Sequence, residues 1–109
     1  MKQDFGGLLV YDVGESTLIG FKDVEVVDDQ HLEAFRKGLE DLIREHQCKT
    51  LVLDLTGVKI ISSGTLGFLF SLSRQGVAIR VYNPSDTVKE VLDITKLGQV
   101  FKEVDTPHT

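Results

Sequence analysis

The segment Thr50-Leu51-Val52-Leu53-Asp54-Leu55 leaves few folds open to this chain. It is apolar at nearly every position, with no alternation of polar and apolar side chains. As a strand it must therefore be covered on both faces, which is the situation of an inner strand in a parallel sheet. Beyond the connection Thr56-Gly57-Val58-Lys59-Ile60-Ile61 comes a serine pair, Ser62-Ser63. Leu66, Leu69, Phe70 and Ser73 then recur at helical spacing, and Phe68 and Leu72 spread the apolar surface almost all round, so a largely buried helix is predicted, ended by Gly76.

The flanking segments supply partners for that strand and helix. Leu8 to Val13 and Thr17 to Phe21 are β-prone runs, and Gly14-Glu15-Ser16 between them reads as a hairpin turn. Val24 to Val27 is extended, with room for a short strand. Asp28-Asp29 offers helix caps, and Leu32, Phe35, Leu39, Leu42 and Ile43 follow on one helical face, predicting a helix from about residue 29 to about residue 46. Val77, Ile79 and Val81 face one way in a strand ending at Tyr82. Asn83-Pro84-Ser85-Asp86 is a turn and cap signal, and Val88, Val91, Leu92 and Thr95 give an amphipathic helix closing near Gly98. Val100, Phe101 and Val104 add a last short element against the core, followed by a frayed tail, Thr106 to Thr109. Strands alternating with helices predict an α/β fold: a small mixed β-sheet of about four to five strands packed by about four helices. The length of 109 residues argues for a single domain over 1–109, with its core from about residue 8 to about residue 104.

Several function classes are excluded. Lys and Arg total 12 against 17 Asp and Glu, a net charge of −5, and no basic patch stands out, so no direct nucleic-acid partner is expected. No apolar run reaches the roughly 18 residues of a membrane span. Met1 to Gly6 has no apolar stretch of the signal-peptide kind. The single cysteine, Cys48, rules out an internal disulfide, has no placed activator and fits a reducing compartment. Together these point to the cytoplasm. His31, His46 and His108 share no metal-ligand spacing, and the acidic run Asp23 to Asp29 lacks the regular oxygen spacing of a calcium loop. No cofactor is expected: Gly6-Gly7 is too short for a phosphate loop, and no Gly-x-x-x-x-Gly-Lys-Ser/Thr occurs. Ser63 is not a nucleophile elbow, since Ile61 and Thr65 stand where that motif needs glycine. With no acid–base pair legible, the chain is read as a non-enzyme. Asp54 reads as a partner for the N–H groups of the turn that follows.

Ser62-Ser63-Gly64-Thr65 admits two readings. A serine caps a helix well because its oxygen accepts a bond from an orphan N–H. Alternatively, a hydroxyl is exposed there, where phosphate would meet free N–H groups and the positive end of the helix dipole, worth about 0.3–1 kcal/mol. Asp28 likewise reads either as a cap or as part of a binding surface around the serines.

The run Asp54-Leu55-Thr56-Gly57-Val58-Lys59-Ile60-Ile61-Ser62-Ser63-Gly64-Thr65-Leu66-Gly67 resembles, without gaps, the signature of STAS domains of the anti-sigma factor antagonist family, D-L-S-G-V-x-F-M-D-S-S-G-L-G. Val27-Asp28 with the Phe35 and Leu39 helix, and Val91-Leu92-Asp93-Ile94-Thr95-Lys96-Leu97, resemble further parts of that family. The resemblance implies a protein-binding regulator that sequesters a serine-kinase anti-sigma factor, is phosphorylated by it, and is restored by a serine phosphatase. It places the phosphoacceptor on Ser63, with Ser62 and Thr65 as alternatives, and the partner surface on Asp28, Ser62, Ser63, Gly64, Thr65, Leu66 and Gly67. It also allows self-association. Three departures from the pattern matter, all within its D-S-S-G part: Ser62 for aspartate, Gly64 for the second serine and Thr65 for the first glycine. The alternative is a STAS scaffold, or a small anion- or nucleotide-binding module, without a phospho-switch.

Overall fold

The computed structural model describes residues 8–21 and 24–106. Gly6-Gly7, Asp23, His108 and the end of the C-terminal tail lie outside the described residues, as do the side chains of His31 and Phe35. The elements are β1 (Leu8–Asp12), β2 (Ser16–Phe21), β3 (Val26–Val27), α1 (Asp29–Glu45), β4 (Thr50–Asp54), β5 (Ile60–Ile61), α2 (Ser63–Arg74), β6 (Ala78–Tyr82), α3 (Asp86–Ile94), a 3-10 turn (Leu97–Gln99) and β7 (Lys102–Val104). Five strands form one mixed sheet in the order β1-β2-β4-β6-β7. The β1–β2 hairpin is antiparallel and every other neighbour in that sheet is parallel. Each parallel neighbour is reached through a helix, as the alternation of patterns predicts.

The inner strand is β4. Leu51, Val52 and Leu53 are all within 2% of complete burial, so the apolar run is covered on both faces as expected. Leu51 and Leu53 join Ile19, Ile79 and Val81 in the core cluster, together with Leu39 of α1, Leu66, Phe68, Leu69 and Leu72 of α2, Val88 and Leu92 of α3, and Phe101. All three helices thus pack on one face of the sheet. Val52 faces the other way, flanked in register by Leu18 and Arg80. Each fully buried leucine stabilises the fold by about 1.5–3 kcal/mol relative to exposure.

Two glycines shape the ends of the central unit. Gly57, at φ +83°, allows the turn in which Val58 N–H bonds Leu55 O at 2.9 Å. Gly76, at φ +103°, turns the chain out of α2. Asp54 serves that first turn: its Oδ1 accepts from Thr56 N–H at 3.0 Å and from the Thr56 hydroxyl at 2.6 Å.

Three details differ from expectation. A second, two-stranded parallel sheet forms between β3 and β5. Helix α3 stops at Ile94, short of Gly98, because Lys96 turns left-handed at φ 63° and the Thr95 hydroxyl bonds Val91 O at 2.7 Å. The last element is strand β7, parallel to β6. Among the described residues no helix is long and apolar enough to cross a membrane.

Candidate functional site

The β3–β5 pair builds the site. Val26 is registered with Ile60 and Val27 with Ile61, and the Ser62 N–H continues the ladder to Val27 O at 2.8 Å. Glu25 anchors the other end, its carbonyl accepting from Lys59 N–H at 2.7 Å and its carboxylate lying 3.2 Å from the Lys59 ammonium. Each short strand runs straight into a helix, so the N-termini of α1 and α2 emerge side by side.

At the start of α1, Asp28 is a cap. Its Oδ1 accepts from Gln30 N–H at 3.0 Å, and its carbonyl accepts from Leu32 N–H at 3.1 Å. Asp28 is half-buried, and the exposed Asp29 beside it faces the neighbouring helix start.

At the start of α2, Ser62 is the cap, with extended backbone at φ −69°, ψ 156°. Its hydroxyl accepts from Thr65 N–H at 3.2 Å and donates to Asp29 Oδ1 at 2.9 Å. With its own proton committed to a carboxylate, Ser62 Oγ can only accept from the Thr65 hydroxyl, 2.9 Å away. One proton given and two lone pairs filled exhaust the hydroxyl. Thr65 itself is 2% exposed. Ser63, the first residue of α2, is exposed, and its hydroxyl makes no hydrogen bond to any described residue. Gly64 and Gly67 are exposed and Leu66 is buried.

The helix behind this turn has two faces. Thr65, Leu66, Phe68, Leu69 and Leu72 are buried, and Arg36 of α1 lies over the Phe68 ring at 5.5 Å from its centroid. Phe70, expected on the core face, is instead 36% exposed. The 3.6-residue period explains this: Phe70 follows Ser63 and Gly67 down the outer face, ahead of Arg74. Nothing lies within 4 Å of a Cβ built on Gly67, so the outer face is open beside Ser63. The registered pair Val26 and Ile60, 44% and 49% exposed, adds apolar surface on the strands entering the two helices. Phe70, Val26, Ile60 and Asp29 were not singled out as site residues from sequence, because which face of a helix or two-residue strand looks outward depends on what packs behind it.

Other features lie elsewhere. Cys48 is buried after α1, its thiol donating to Thr50 O at 3.1 Å. A cleft of about 330 Å³ is lined by Val81, Leu92, Asp93, Phe101 and Glu103 among others, and none of its lining belongs to the serine turn. Among the described residues, no buried side-chain polar atom lacks a hydrogen-bond partner.

The STAS domain family profile matches residues 23–109. No curated protein matches the sequence significantly. Among solved structures, the anti-sigma factor antagonist SpoIIAA in its unphosphorylated form is 20% identical, with 90% of this chain and 88% of that one covered at a TM-score of 0.71. The Bacillus cell fate determinant SpoIIAA in the phosphorylated form is 20% identical, with 90% and 91% covered at 0.65. An anti-sigma-factor antagonist (STAS) domain protein from Planctomyces limnophilus is 18% identical, with 91% and 89% covered at 0.77. At these identities the likeness is one of fold.

Proposed function

The chain belongs to the STAS domain family, and on that premise we propose that it is an anti-sigma factor antagonist of the cytoplasm. In this reading the chain acts as one domain, binds a serine-kinase anti-sigma factor through the turn Ser62–Gly67 and the loop at Asp28, and is switched off by phosphorylation of Ser63. A serine phosphatase resets it. The role is binding, with the kinase supplying the chemistry.

One observation carries the reading: Ser63 presents an exposed hydroxyl, without a hydrogen bond among the described residues, at the first residue of α2, on the open face shared with Gly67 and Phe70. Its neighbours Ser62 and Thr65 have their hydroxyls engaged with each other, and Thr65 is buried. Phosphate on Ser63 adds roughly −1.5 to −2 charges beside Gly67 and Phe70, which carry none. On the free helix end that charge is welcome, whereas against a docked partner it must be desolvated, so the modification favours the dissociated state.

The test is calorimetric binding to the serine-kinase anti-sigma factors of the same genome, with phosphate located by mass spectrometry after incubation with ATP. Ser63→Ala should bind as the native chain does, and Ser63→Asp at least about tenfold more weakly. Equal binding by both variants would sink the switch.

A further inference from the structure

Helix α2 begins without a carboxylate of its own, since no acidic residue occupies its first turn. The negative charge beside its N-terminal N–H groups is brought by Asp29, which precedes Ser62 by 33 residues. Oδ1 of Asp29 accepts the Ser62 hydroxyl proton at 2.9 Å. A Cβ built on Gly64 would run into that same Oδ1, with Cγ at 3.3 Å. Asp29 therefore lies over the first turn of α2, and glycine at position 64 leaves it room. The three positions at which the segment departs from D-S-S-G are 62, 64 and 65. These are the positions joined to Asp29, directly or through the Ser62 hydroxyl. The three departures form one linked arrangement.

We propose that Asp29 is the positioning residue of the Ser63 switch: it locks Ser62 as the cap of α2, withdraws the Ser62 and Thr65 hydroxyls from modification, and leaves Ser63 as the serine a kinase can reach. This rests on the reading of Ser63 as the modified residue and adds how that serine is selected. A phosphate on Ser62 would break the cap and set a dianion against the Asp29 carboxylate. Thr65 is closed by burial and by its bond to Ser62. Ser63 has neither obstacle.

A four-variant cycle tests the lock: the native chain, Asp29→Ala, Ser62→Asp, and both together, with Gly64→Ala alongside. It is read by urea unfolding and by hydrogen exchange of the Thr65 amide in NMR spectra. Asp29→Ala should speed Thr65 exchange about fivefold, the size of a weakened cap. Ser62→Asp should harm the native background, where it sets two carboxylates together. In the Asp29→Ala background it should restore Thr65 protection, because aspartate is itself a good cap. Gly64→Ala should reproduce the faster exchange by displacing the Asp29 carboxylate, although alanine is the better helix former. If Ser62→Asp alone fails to fold while the double variant folds, the lock is supported. The same effect of Ser62→Asp in both backgrounds, or a Thr65 amide as protected after Gly64→Ala as before, overturns it. The selection itself is read by mapping phosphate after incubation with the anti-sigma kinase and ATP. Ser63 alone should be modified in the native chain, and Ser62 as well after Asp29→Ala; phosphate on Ser62 of the native chain overturns the proposal. The cycle involves no phosphate, so its failure is distinct from failure of the Ser63 binding test.

Discussion

Ser62 and Ser85 cap α2 and α3 with nearly the same backbone, at φ −69°, ψ 156° and φ −68°, ψ 165°. Each hydroxyl accepts from the N–H three residues on, Thr65 at 3.2 Å and Val88 at 3.1 Å. The next residue separates them. Helix α3 continues with Asp86, so its first turn holds a carboxylate against the helix dipole, and Ser85 spends its own proton on the neutral Lys59 carbonyl at 3.2 Å. Helix α2 continues with the neutral Ser63, and its cap spends its proton on a carboxylate borrowed from α1. One helix start has its carboxylate in its local sequence. The other is left uncharged at Ser63 and receives its carboxylate by tertiary contact. The two helix starts thus share a capping frame and differ in where the carboxylate comes from: Asp86 beside its own cap, Asp29 from another helix.

That contrast can be broken in several ways. The largest effect should come from the packing that holds α2 rigid behind its exposed start. Leu69→Ala, at a site 2% exposed, should cost about 2–5 kcal/mol in urea unfolding. Ser62→Ala should follow at about 1–3 kcal/mol, because it removes a cap and also strands the buried Thr65 hydroxyl. Ser85→Ala, at the end whose carboxylate is local, should lose only the about 1 kcal/mol of an ordinary cap. Equal losses at Ser62 and Ser85 would erase the distinction between the two ends. The smallest effects are electrostatic: Asp86→Asn should destabilise by about 0.3–1 kcal/mol at low salt, fading as salt is added. Ser63→Asp should stabilise the fold by a similar 0.3–1 kcal/mol through the same dipole. A Ser63→Asp chain that is at least as stable as the native one, yet poor at partner binding, would show that charge at this position acts on the interface and leaves the fold intact.

Much of this was legible before any coordinates. β4 and β6, α1 and the buried side of α2 each carry an apolar pattern over five or more residues, and Ser85-Asp86 announces its helix locally. The two-residue strands β3 and β5 were not legible as a pair, because so short a segment has no period to detect. Phe70 was assigned to the core because an apolar residue at helical spacing usually packs inward, and only the neighbouring elements reveal that the inner arc of α2 ends before it. Asp29 looked like a cap of its own helix. Nothing within several residues of it mentions Ser62.

What the sequence determined by itself is the set of elements and the layer they must form. A strand apolar on both faces and helices apolar on one stripe can bury their surfaces only by stacking, and such patterns are written in consecutive residues. The serine turn as the start of a buried helix belongs to this class too. Tertiary structure alone decided that α1 and α2 begin side by side, that Asp29 reaches Ser62 and lies over Gly64, and that Ser63 is the hydroxyl left open. Those outcomes depend on the register of two short strands and on a hydrogen bond spanning 33 residues. Hydrogen bonds act over about 3 Å, so which distant groups meet is set by how the packed layers align and not by any local run of the chain.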